Sequence, residues 1–242
     1  MKKNKKGFTL IELLAVIIIL GVLMLVAIPS VTGYISSSRR SSFASTASEF
    51  IKSVAVKVNE GKISVYDENT LYLFPIGNDE TKSCIKLESG GKSPFSDEYN
   101  YGYVGAVYDG TSYDYYILAV DGAGQGFNYQ TKDNNGNTIN QYIIPSKVLE
   151  DKGGDLVVAG ITPIGILGAK TSTNTNGVYG SETKVVSPVT TGSGDTATTD
   201  STLLDALLVD GYIKKNDGST SGVLDGHTIK KVIVVGLADC RK

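Results

Sequence analysis

The chain has 242 residues, a net charge of −2 and a single histidine. That length fits one domain of ordinary size or two small ones. A charge so close to balance gives the chain as a whole no electrostatic reason to bind nucleic acid.

The first charges are all positive. Lys2, Lys3, Lys5 and Lys6 precede an apolar run, Phe8–Ile28, whose one charge is Glu12. As a helix this run would be about 31 Å long, which matches the roughly 30 Å hydrocarbon core of a bilayer. The next charges are Arg39 and Arg40. The positive-inside rule keeps the lysines cytoplasmic and puts everything after Ser30 outside. Outside is oxidising, so Cys84 and Cys240, the two cysteines, read as a disulfide.

A secretory signal peptide also begins with a basic stretch and an apolar one. This apolar stretch is longer than the usual 7–15 residues, and no A-x-A site follows it. A plain signal anchor fits the length better. Neither explains Glu12, because a carboxylate inside such a segment costs about 2.5–3.5 kcal/mol at the bilayer centre, and less near an end, where it can snorkel.

The segment Gly7-Phe8-Thr9-Leu10-Ile11-Glu12 resembles the prepilin signature of type IV pilins and pseudopilins. In that family a short basic leader ends in Gly, followed by Phe, a few small or apolar residues, Glu and a long apolar helix. The resemblance extends from Lys2 to Val58, and Pro29 falls where many of these helices carry a proline. It implies a leader, residues 1–7, removed by a prepilin peptidase between Gly7 and Phe8. Phe8 would then be the N-methylated N-terminus. Glu12 would be an assembly residue, its carboxylate offered to a neighbouring subunit's terminal amine inside a helical bundle. Truncating one member of such a buried pair costs about 3–5 kcal/mol.

Beyond the apolar run, Phe43, Ala47, Phe50, Ile51, Val54 and Val58 share one helical face. Ser42, Ser45, Ser48, Glu49, Lys52 and Ser53 lie on the other. Asn59-Glu60-Gly61 is a stop, with Gly61 suited to a left-handed C′ position. We therefore expect one helix from Phe8 to Asn59, apolar all round over 8–30 and amphipathic over 31–60. Pro29 removes a helical hydrogen bond and should kink it, with Gly21 and Gly33 adding local freedom.

From 61 to 242 the pattern becomes β-rich. Leu71–Ile76 and Cys84–Leu87 are candidate strands, and Tyr101–Tyr108 with Tyr113–Val120 form a hairpin across Asp109-Gly110-Thr111-Ser112. A second hairpin is expected from Phe127 to Ile144, turning at Asn135-Gly136. Leu156–Ile161 and Ile164–Leu167 are short apolar stretches. A turn at Asp217-Gly218 or Asp225-Gly226 leads to one buried strand, Thr228–Val235. Ser201–Val209 reads as a short helix capped by Asp200. The stretch 171–202, rich in Ser and Thr, reads as a surface loop or linker, within one head rather than two subdomains. This order is α+β: a long N-terminal helix packed on an antiparallel head. The resemblance implies the same type IV pilin fold.

No catalytic set emerges. Gly122–Gly126 lacks the GxGxxG spacing of a phosphate loop and reads as a glycine-rich turn. Asp133-Asn134-Asn135-Gly136-Asn137 has its glycine too early for a calcium loop and no distal glutamate, so it reads as a hairpin tip. His227 has no nucleophile to serve and reads as a turn residue. The tyrosines of Tyr99–Tyr116 are ordinary sheet residues. We expect no enzyme, cofactor or metal, and a structural subunit of a type IV pilus-like filament at the cell surface, with a minor or adhesive place in it. The partners implied by the resemblance are copies of itself or related pilins, the prepilin peptidase, and an assembly platform protein with its ATPase. The alternatives are a pseudopilin of a type II secretion or DNA-uptake machine, a membrane-anchored adhesin that never polymerises, and an extracellular enzyme.

Overall fold

The computed structural model describes residues 7, 9–63, 65–77, 83–87, 89–96, 99–132, 136, 138–161, 184–186, 214–215 and 222–240. The chain divides into two compact units, Met1–Arg39 and Arg40–Lys242.

Helix α1, Leu10–Asn59, runs through the division and keeps Pro29 inside it. In the first unit its large apolar side chains, from Leu10 to Ile35, are exposed, and the segment is long and apolar enough to cross a membrane. In the second unit α1 buries Phe43, Ala44, Ala47, Phe50, Ile51, Val54 and Val58, the stripe that the spacing predicts. Its end is a Schellman motif. Gly61 N–H donates to Val58 O at 3.0 Å and Lys62 N–H to Lys57 O at 3.1 Å, while Gly61 takes φ 71°. A side chain at Gly61 would strain that left-handed turn.

The head is built on a main sheet. Its strands are β1 (Thr70–Pro75), β2 (Tyr99–Tyr108), β3 (Tyr113–Asp121), β4 (Gly126–Phe127), β7 (Ile144–Pro145), β8 (Val157–Val158), β9 (Lys184–Val186) and β13 (Lys231–Val234). The order is β8-β4-β3-β2-β1-β13-β9, with β7 beside β3. Strands β5 (Tyr129–Lys132) and β6 (Thr138–Gln141) form a separate hairpin. Strands β10 (Lys214–Lys215), β11 (Gly222–Leu224) and β12 (His227–Ile229) form a three-stranded sheet. Helix α2 (Ser146–Lys152) precedes a short 3-10 turn, and α3 (Leu237–Cys240) ends the described chain.

The main sheet is covered on both faces. Tyr72, Phe74, Val104, Ala106, Ile117, Ala119 and Ile233 pack with the α1 stripe. Their neighbours Leu71, Leu73, Tyr103, Tyr116, Leu118, Val232 and Val234 pack with Leu224 and Ile229 of the β11–β12 hairpin. Double burial makes these strands continuous apolar runs instead of alternating ones. Phe43 anchors the helix side, its ring centroid 5.0 Å from that of Phe127. Gly154, in the 3-10 turn, approaches α1 so closely that a Cβ there would lie 2.8 Å from the Ser41 nitrogen.

Four expectations are corrected. Cys84–Leu87 is not a strand: β1 already has β2 and β13 on its two sides, and Cys84, Ile85 and Leu87 are buried in irregular chain, with Cys84 N–H donating to Pro75 O at 2.7 Å. Thr228–Val235 is not one strand. Ile229 ends β12 in the small sheet and Lys231 starts β13 in the main one, because the Lys230 and Lys231 N–H groups both turn onto Asn69 O, at 2.8 and 3.3 Å. The sheet is not purely antiparallel, since β1 and β13 pair in parallel. The 171–202 stretch is not all loop, since Lys184–Val186 pairs with β13. The short helix expected at Ser201–Val209, the stretch 164–167 and the tip residues 133–135 lie outside the described residues.

Both tyrosine-hairpin strands form, joined by a four-residue loop in which Asp109 N–H donates to Ser112 O at 3.1 Å. The Asp109 carboxylate accepts from the Thr111 and Ser112 N–H groups, at 2.7 Å each. Those N–H groups hold its pKa below the usual carboxylate value. The turn before β12 is Asp225-Gly226, with both φ angles positive, at 50° and 89°.

Two tyrosines of β3 carry a testable cost. The Tyr115 and Tyr116 hydroxyls are buried without a hydrogen-bond partner among the described residues. Burial pushes Tyr115 up to about 12, and raises Tyr116 too, with help from Asp225 and Asp114. A phenol whose folded pKa lies above its unfolded value of about 10 favours the fold fully below pH 10 and loses that contribution as pH rises through the folded value. Alkaline unfolding should therefore set in above about pH 10 and be blunted in Tyr115→Phe/Tyr116→Phe. At neutral pH, Tyr116→Phe should be stabilising by about 1 kcal/mol, because it removes an unsatisfied hydroxyl. Urea titrations at the two pH values check both, and a markedly destabilised Phe variant would contradict the argument.

Candidate functional site: the N-terminal helix start

Thr9 is the N-cap of α1 and Glu12 its third helical residue. The Glu12 carboxylate accepts from the Thr9 backbone N–H and from its hydroxyl, at 2.8 Å each. In return, Glu12 N–H donates to Thr9 Oγ1 at 3.4 Å. This is a capping box. The sequence reading gave Glu12 only an intermolecular purpose and missed Thr9. The signal was present as Thr-x-x-Glu before an apolar run. The carboxylate is thus held at the Thr9 amide, next in sequence to Phe8, although Phe8 itself is outside the described residues.

Gly7 is exposed, and a Cβ on it would meet nothing within 4 Å. Nothing among the described residues therefore calls for a glycine there. At Pro29 the helix lacks one N–H donor. Close by, Ser30 Oγ donates to Val26 O at 3.4 Å and Thr32 Oγ1 to Pro29 O at 3.0 Å.

In the head, Cys84 and Cys240 are joined by a disulfide, Cα–Cα 5.4 Å. Lys57, in the last turn of α1, donates to Cys240 O at 2.7 Å. The C-terminal helix is thus fixed both to the segment after β1 and to α1.

The other sequence candidates are structural in their surroundings. The glycine turn at 122–126 wraps the buried Asp121, whose carboxylate accepts from Ala123 and Gln125 N–H and from the Ser93 hydroxyl. A carboxylate at its centre repels phosphate. His227 opens β12, and its Nε2 lies 2.9 Å from Asp114 Oδ2, while Lys147 reaches the other oxygen at 3.2 Å. Among the described residues no group of three or more His, Cys, Asp or Glu is arranged to hold a metal. Tyr108 and Tyr113 pack ring to ring, with centroids 4.9 Å apart.

Residues 2–28 match the family model of the prokaryotic N-terminal methylation motif. The N-terminal segment thus carries the methylation motif and is similar to type IV pilins. Two relatives described as type IV major fimbrial protein FimA, both from Dichelobacter nodosus, are similar to this chain. One is 39% identical over 70 residues and the other 40% over 62. The matches cover 29% and 26% of this chain, and 44% and 40% of the relatives, so it spans less than half of their length. No solved structure matches.

Proposed function

We propose that the chain is a prepilin, cut between Gly7 and Phe8, methylated at Phe8 and polymerised through its N-terminal helix into a type IV pilus-like filament. The observation carrying this is the helix start: a methylation motif over residues 2–28, with the Glu12 carboxylate bound to the amide of Thr9, the residue that follows the proposed new N-terminus. The inserted subunit would keep its lysine leader in the cytoplasm and its head outside. Its partners would be other copies or related pilins, the prepilin peptidase, and a platform protein with its ATPase. The relatives' description as major fimbrial proteins favours a pilus over a secretion or DNA-uptake pseudopilus. A minor or adhesive place would appear as immunogold label confined to tips or sparse along the shaft.

Because nothing among the described residues requires glycine at position 7, this reading puts the requirement on the peptidase. Gly7→Arg should retain the leader, read as intact mass of the purified protein, while the parent chain begins at methylated Phe8. Leader removal from Gly7→Arg at the parental rate would count against this reading.

A further inference from the structure

The capping box fixes where α1 begins, and that point falls just after the proposed cleavage position. The first helical bond runs from Leu13 N–H to Thr9 O, at 3.2 Å. Were the helix to start earlier, Glu12 N–H would hold the Phe8 carbonyl and Ile11 N–H the Gly7 carbonyl. The first of these donors is engaged elsewhere, because Glu12 N–H donates to Thr9 Oγ1. The Glu12 carboxylate in turn occupies the Thr9 N–H. Thr9 is thereby held as an N-cap, a position with non-helical backbone angles, and Gly7 also lies outside the helix.

This boundary runs against its surroundings. In the proposed inserted state the segment sits at the edge of a bilayer, where a longer helix satisfies backbone groups that water no longer reaches. Lys5 and Lys6 are good helix formers and would let it run on, with only Gly7 disfavouring it. Leader removal adds water across the Gly7–Phe8 amide, leaving a carboxylate on Gly7 and an amine on Phe8. For that, a peptidase has to bind the Gly7 carbonyl oxygen with its own donors and take the flanking chain as an extended strand. A helix denies both, because that carbonyl would be tied to Ile11 N–H. We propose that Thr9 is a positioning residue for leader removal: by starting α1 at Leu10, its cap keeps the Gly7–Phe8 bond out of the helix and open to the prepilin peptidase. The inference rests on the processing proposed above. Thr9 then acts before cleavage, whereas the pairing proposed for Glu12 acts after it.

The test uses the full precursor in detergent micelles with purified prepilin peptidase. A substrate that is competent for only a fraction of the time binds more weakly by that fraction, while its bound, unwound form reacts as before. Thr9→Val keeps the shape of the side chain and removes the hydroxyl. Loss of an N-cap shifts a helix boundary about fivefold, so this variant should raise KM by up to about fivefold and leave kcat unchanged. A change of that size slows leader removal without preventing it, so filaments still form. Thr9→Ser, which keeps the hydroxyl, should restore the parental KM. The labelled Gly7 carbonyl carbon should show a non-helical NMR shift in the parent and move toward helical values in Thr9→Val. An unchanged KM in Thr9→Val, or a helical Gly7 shift in the parent, would overturn the inference. So would a raised KM with an unmoved Gly7 shift, since the peptidase would then be reading the Thr9 side chain directly. A parent precursor left uncut by a peptidase that cuts other prepilins would instead overturn the processing reading, and the positioning role with it.

Discussion

Glu12→Val should abolish or severely reduce filament yield while leaving membrane insertion intact or improved. Removing a charge from an apolar segment favours insertion, so a plain anchor would predict no penalty at all. In the proposed bundle the neighbour's amine would lose its counter-ion, a loss of about 3–5 kcal/mol for a buried pair. The capping box adds a second, smaller effect, since its loss frees the Thr9 N–H now bound by Glu12 and costs about 1 kcal/mol of helix start. Two further variants separate these terms. Glu12→Gln keeps a side chain able to reach the Thr9 amide but not the charge. Thr9→Ala keeps the charge but not the hydroxyl cap. If the carboxylate acts through the amine, Glu12→Gln should assemble nearly as poorly as Glu12→Val, and Thr9→Ala nearly as well as the parent. Sheared-filament yield and membrane-fraction level, measured together, check this. Parental yield from Glu12→Val would remove the pairing mechanism. Equal defects in Thr9→Ala and Glu12→Gln would reduce Glu12 to a capping residue.

How much of this was legible before the coordinates depended on period and on partner distance. The α1 stripe was readable because its apolar residues repeat at helical spacing over one continuous element, and because Gly61 marks its end by a conformation that other residues resist. The tyrosine hairpin was readable for a similar local reason, the polar loop between two β-prone runs. The pairing of β1 with β13 was not, because parallel neighbours far apart in sequence leave no local mark. Nor was the division of 228–235 at Lys230, which depends on Asn69 presenting its carbonyl from another part of the chain. Cys84–Leu87 looked like a strand because burial, not pairing, selected its apolar residues. At the helix start the failure was of another kind. The Thr-x-x-Glu pattern was visible, but the resemblance supplied a role for Glu12 and the local one went unread.

Cys84→Ser and Cys240→Ser should each destabilise the head by a similar amount, with the double variant no worse than either. The bridge joins residues 156 apart in sequence. For a loop of that size the chain-entropy model gives about 5 kcal/mol as an upper figure, and measured values are usually lower. What the bridge holds is specific. Val235 N–H donates to Leu73 O at 2.9 Å, β13 pairs with β1, and α3 then carries Cys240 back to the segment that follows β1. Without the bridge, the C-terminal turn loses its covalent tie to the segment after β1 and relies on non-covalent bonds, the Lys57 contact to Cys240 O among them. Its release would loosen β13, which sits between β1 and β9, and expose strand edges open to pairing with other chains. A head carried on the proposed extracellular filament would have no chaperone to restore it. The expected observations are no titratable thiol in the denatured, unreduced mature protein, and lower urea midpoints in all three variants. Hydrogen exchange should rise first in 231–240 and only later in β2 and β3. Two free thiols in freshly exported protein, or single and double variants that add, would refute the staple and leave the pilin-type helix untouched.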